Sequence, residues 1–70
     1  MKIDREFLYE LEICKSRKEI EDVIEDVDDD DVRENLSEHY KQILKFNENE
    51  NVMSIKNILI YSYRKYCSEN

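Results

Sequence analysis

Three groups of residues in this chain of 70 could carry chemistry: the acidic stretch 26–31, the trio Cys14, His39 and Cys67, and the aromatic and cationic segment 61–66. Asp26, Asp28 and Asp30 have the alternation that opens a helix-loop-helix calcium site. Such a loop also needs Gly at its sixth position and a bidentate Glu at its twelfth. Counted from Asp26, those positions hold Asp31 and Ser37, and the apolar eighth position holds Arg33. The stretch therefore reads as a solvated acidic turn that attracts cations without caging one. Cys14, His39 and Cys67 would bring three zinc ligands from three separate helices, with no closely paired spacing such as Cys-x-x-Cys. His39 is the single histidine, and no Ser or Cys stands at a spacing that makes it a nucleophile's base. Carboxylates are so abundant that no pair is singled out for acid–base work. Gly is absent, so the phosphate-cradling loops that need close backbone approach are excluded. The expectation is a protein that is not an enzyme and holds no cofactor or metal.

What remains is binding. The net charge of −7 is unevenly placed: residues 1–50 hold eight Lys/Arg against seventeen Asp/Glu, whereas residues 51–70 hold Lys56, Arg64 and Lys65 against Glu69. An acidic body repels nucleic acid and attracts basic protein surfaces. Asp28, Asp29, Asp30, Asp31 and Glu34 are the candidate contacts on that side. Tyr61, Tyr63 and Arg64 are the candidates on the other, because Tyr and Arg are enriched at interface hot spots. Tyr61, Tyr63 and Tyr66 beside Arg64 and Lys65 could also stack bases, but three cations are few. The same positions suit an ordinary amphipathic surface, with Tyr66 in the core.

The elements that must position these residues are helices. Gly and Pro are both absent, charged residues make up 41%, and no Ala or Trp enters the core supply. Short helices joined by polar turns need neither Gly nor Pro, whereas tight hairpins want Gly. Ile3, Phe7, Leu11 and Cys14, widened by Leu8, predict a helix over 3–15. Ser16 and Glu19 form a capping box that starts a second helix over 17–27, with Ile20, Val23, Ile24 and Val27 inward. One continuous helix over 3–27 is the alternative. Asp31 and Glu34 predict a second box and a helix from Val32 to Phe46, its stripe Val32, Leu36, Tyr40, Ile43 and Leu44. Four carboxylates ahead of that N-terminus suit the helix dipole, against the cost of their mutual repulsion. A polar turn follows over 47–51. A last helix is expected over 52–67, with Ile55, Ile58, Leu59, Ser62 and Tyr66 on one face, although the β-branched and aromatic run 58–66 could also alternate as a strand. Context favours helix, since a lone strand has nothing to pair with. The expected fold is a single all-α domain over 1–70, a compact bundle of three to four short helices. Cys14 and Cys67 both fall on apolar faces, as buried filler or, in the lesser reading, as a bridge between the first and last helices.

The first half resembles the Hha/YmoA family, small helical partners of the nucleoid protein H-NS. The resemblance rests on Phe7, Leu8, Leu11, Cys14, Ser16, Ile20, Glu21, Val23, Ile24 and Glu25, with Leu36 and Tyr40 at the family's spacing. It implies a similar helical arrangement and a role as partner to a DNA-binding protein. The family's Ala-Ala-Asp-His-Arg run is replaced by Gln42, Ile43, Leu44, Lys45 and Phe46, and its Trp-containing C-terminal segment is absent, so no binding residue carries over.

The expected function is that of a small acidic regulator or adaptor that binds another cytosolic protein, one that itself handles nucleic acid, in transcription regulation for instance. Two rivals stand beside it: a nucleic-acid mimic that blocks a DNA-binding enzyme, and a structural homodimer. No apolar leader or membrane-length run is present, which makes the cytoplasm the expected compartment. Richness in Asn, Lys, Ile and Tyr suits an AT-rich bacterial or phage genome.

Overall fold

The computed structural model describes residues 2–46 and 51–69, and four helices account for most of them: α1 (Arg5–Glu12), α2 (Arg17–Glu25), α3 (Asp30–Phe46) and α4 (Val52–Glu69). Each start is fixed by a short polar side chain that takes up amides left unpaired in the first turn. Asp4 Oδ1 accepts from the amides of Glu6 and Phe7 at 3.0 and 3.2 Å. Ser16 Oγ accepts from the amide of Glu19 at 3.2 Å, and the Glu19 carboxylate lies 3.4 Å from the same hydroxyl. The chain therefore breaks at Ser16 and starts again, so the continuous 3–27 helix does not form. Asn51 Oδ1 accepts from the Ser54 amide at 2.8 Å and starts α4, whereas positions 47–50 of the expected turn lie outside the described residues.

The start of α3 differs from expectation. Asp29, not Asp31, is the cap: its Oδ1 accepts from the amides of Asp31 and Val32 at 2.9 and 3.2 Å. Arg33 explains the shift. Its guanidinium donates to the Val27 carbonyl at 2.7 Å and pairs with Asp30, tying the α2–α3 turn together and offsetting part of the repulsion in the acidic run. With Asp31 inside the first turn, its box with Glu34 is not made.

No described residue has a positive φ, which is how the turns manage without Gly. The caps Ile13 and Asp26 both stay right-handed, at φ −84° and −80°. The end of α1 is then closed from a distance: Lys56 Nζ, on α4, donates to the carbonyls of Glu12 and Cys14 at 2.7 and 2.9 Å. Replacing Lys56 by Met keeps the stem and removes the donor. We expect a loss of about 1.5 kcal/mol, the low end of the range for hydrogen bonds to charged groups because one of the two bonds is exposed, read from the midpoint of urea unfolding; an unchanged midpoint would show that water satisfies those carbonyls equally well.

Successive helices run antiparallel and close in a ring. The longest interface joins α3 and α4, and α1 packs on both α2 and α4. Thirteen buried residues from all four helices and the α1–α2 turn make one core. On α4 the buried stripe is Ile55, Leu59, Tyr63 and Cys67: Ile55 and Leu59 face inward as expected, but Tyr63 and Cys67 take the places expected for Ile58, which is 38% exposed, and for Ser62 and Tyr66, which are half-buried. The reason is α1, which covers that flank of α4 and packs Phe7 against Tyr63, the rings tilted at 55° with centroids 4.8 Å apart. The run 58–66 is helical throughout.

Candidate functional site

One pole of the bundle gathers the N-terminus of α1, the α2–α3 turn and the C-terminal part of α4. A cleft opens there. Asp4, Glu6 and Glu10 from α1 and its cap, and Asp26, Asp28 and Asp29 from the turn, line it with carboxylates. Phe7, Val23, Val27, Val32 and Tyr63 form its apolar floor, and Lys2 stands at the edge. The sequence folds this way because α1 and α2 lie side by side and antiparallel, so the acidic flank of one faces the acidic end of the other across Phe7 and Val23.

The cleft contains Asp28, Asp29 and Tyr63 of the residues singled out from the sequence, but it does not unite the full set. Asp30, Asp31 and Glu34 are exposed on the first turns of α3 and do not line it. Tyr63 is only 3% exposed, and its hydroxyl accepts from the Asp4 amide at 2.8 Å, so it is a floor and core residue, not a free anchor. Tyr61, 67% exposed, points the other way into a groove with His39, Lys65 and Tyr66 between α3 and α4. Arg64 belongs to a third surface, with Arg5 and Tyr9 of α1. Consecutive helical positions are about 100° apart, so Tyr61, Tyr63 and Arg64 had to diverge once 61–66 became helix. Asp4, Glu6 and Glu10 were not among the candidates from sequence, and Asp26 was considered only as a calcium ligand; their signal was a carboxylate beside each apolar position that flanks the cleft.

The remaining chemistry-bearing residues are occupied structurally. His39 Nδ1 lies 2.8 Å from the Asn35 carbonyl of its own helix. Among the described residues no group of three or more His, Cys, Asp or Glu is placed to hold a metal. Cys14 and Cys67 are both buried and free. The Cys14 carbonyl meets Lys56, which is roughly 16 Å along α4 from Cys67 by helical rise, too far for a bridge that needs Cα atoms within about 7 Å. Burial first, then the charge of Glu19, pushes the Cys14 thiol above its ordinary value, which keeps it protonated and a poor nucleophile. No described helix is long and apolar enough to cross a membrane.

No protein-family model matches this chain, and neither a curated protein nor a solved structure gives a significant match.

Proposed function

We propose that this chain is a small, acidic, non-enzymatic regulator or adaptor of the cytosol that binds a basic surface on another protein, one that itself handles nucleic acid. The observation that carries this reading is the pairing of a carboxylate rim with an apolar floor in one cleft. Lys and Arg side chains have the same two-part character: an aliphatic stem that covers apolar surface and a cationic head that stays at the polar edge. A basic segment would lay its stems over Val23 and Val27 and its heads against Asp26, Asp28 and Asp29. Complementary charge speeds encounter and selects against acidic partners. The resemblance of the first half to partners of a nucleoid protein points to the same kind of target.

The test is capture from a nuclease-treated bacterial lysate with immobilised protein, washed at rising salt, alongside an Asp26→Asn/Asp28→Asn/Asp29→Asn variant. Asn caps a helix about as well as Asp, so α3 keeps its start. We expect one dominant basic protein, released by salt, and recovered about tenfold less by the variant, equivalent to about 1.4 kcal/mol of binding. Equal recovery by both proteins would remove the acidic cleft from the interaction. Capture of a nuclease or polymerase whose DNA site is thereby blocked would support the mimic instead.

A further inference from the structure

We infer that the groove between α1 and the C-terminal half of α4 docks an acidic amphipathic helix of another protein. The groove combines three cations, Lys2, Arg5 and Arg64, with the apolar side chains Ile3, Leu8 and Tyr9; Glu12 is its single lining carboxylate. That balance inverts the molecule as a whole, in which Asp and Glu outnumber Lys and Arg by 18 to 11.

The arginines are the stronger part of the case. Of the four in the chain, Arg33 holds the α2–α3 turn and Arg17 is engaged within the fold. Arg5 and Arg64 make no ion pair or hydrogen bond among the described residues, and both line this groove. They come from opposite ends of the sequence and meet because α1 lies against α4. Mutual repulsion of three cations does nothing for folding, whereas a planar guanidinium matches a carboxylate with two parallel hydrogen bonds. Between the cations, Tyr9 is 63% exposed and Ile3 38%, while Leu8 packs on the core from the groove side. A ring this exposed on a helix is available to a ligand.

Dimensions favour a helix as the occupant. The eight residues of α1 span about 12 Å, some two turns of a ligand helix, which would present apolar anchors at i and i+4 with flanking carboxylates. A nucleic acid fits less well. Asp4 and Glu6 stand beside the groove on the same turn, and a polymer with a phosphate at every nucleotide would be driven onto them. A peptide with separated carboxylates can spare that edge. The groove shares only Lys2 with the acidic cleft, so the two surfaces can be disabled independently.

The test is fluorescence anisotropy with three labelled probes: a synthetic peptide of about four helical turns with Leu at i, i+4 and i+7 and Glu between them, its analogue with Gln in place of every Glu, and a single-stranded oligonucleotide. We expect the Glu peptide to bind at least about tenfold tighter than the Gln analogue and to weaken as salt rises. Arg5→Gln/Arg64→Gln removes that preference, and Asp28→Asn/Asp29→Asn in the cleft leaves it intact. Should the arginine variant fail to fold by circular dichroism, Tyr9→Ser/Arg64→Gln, which spares the shared Lys2, makes the same test. Equal binding of the two peptides, or a preference that survives the arginine variant, overturns the inference. Tighter binding of the oligonucleotide overturns it in favour of nucleic acid. A salt-sensitive dimer lost in the arginine variant overturns it in favour of a second copy.

Discussion

Leu59→Ala is expected to cost about 3.5 kcal/mol, the middle of the range for Leu→Ala at a fully buried site. Leu59 is fully buried on α4, in the helix that packs on both α3 and α1. Neighbours held by three helices cannot collapse far into the space left behind, so the cavity persists. In a domain this small the thermal midpoint falls by roughly 4–8 °C for each kcal/mol, so a shift of more than about 10 °C should be visible by circular dichroism. Ile58→Ala is the control. Ile58 is one residue away and was expected on the same inward face, but it is exposed; its truncation should cost under about 1 kcal/mol. Equal losses from the two variants would mean that α4 turns Ile58 as far inward as Leu59.

That pair of variants also marks what the sequence could convey. Local signals were legible: the hydroxyl of Ser16 three residues ahead of Glu19 reads directly as a cap, and the apolar stripes of the first three helices needed only their own periodicity, except that Ile3, expected inward, lies ahead of α1 and is exposed. The start of α3 was not legible, because four successive Asp residues offer four caps of similar chemistry and Arg33 chooses among them through a carbonyl six residues back. The inward face of α4 was misread for a related reason. Tyr63 and Tyr66 both continue the stripe from Leu59 in helical steps, and the choice falls to Phe7, which arrives from the other end of the chain. The closure of α1 by Lys56 joins residues 42 and 44 positions apart, and nothing local announces it. The candidate site has the same division. Acidity was plain from composition, but which carboxylates share a cleft depends on how α1 and α2 lie together. The basic groove on α1 and α4 needs a contact that no window of sequence contains.

Stability should fall steeply in alkali, and Tyr40 should supply the largest single share. Its ring is buried in the core, and its hydroxyl, part-buried between α2 and α3, donates to Glu21 Oε2 at 2.8 Å and lies 3.5 Å from the Arg17 carbonyl. Burial first, then the hydrogen bond and charge of Glu21, push its pKa from 10.0 up to about 12, against a smaller opposing pull from Arg17. A folded-state value above the unfolded one means that the native state holds the proton more tightly. The contribution is therefore complete below about pH 10 and is lost as the pH rises toward 12. Between those limits, at pH 11, the loss from this one group is about 1.4 kcal/mol. Tyr63 acts in the same direction: burial raises it, as does the Cys67 side chain, while the amide of Asp4 partly opposes them. Cys14, raised mainly by burial, adds to the fall from above its ordinary 9.0.

Urea unfolding at intervals from pH 8 to pH 11 separates these contributions. Tyr40→Phe should be less stable than wild type by about 1 kcal/mol at pH 8, since it forfeits the bond to Glu21, and that gap should close or reverse by pH 11. The growing charge of every other ionising group burdens both proteins alike, so the change in the gap isolates the Tyr40 hydroxyl. A constant gap across the range would mean that the hydroxyl titrates as it does in the unfolded chain. The Tyr40–Glu21 bond would then be open to water, and the joint between α2 and α3 would rest on apolar packing and the Arg33 tie to Val27.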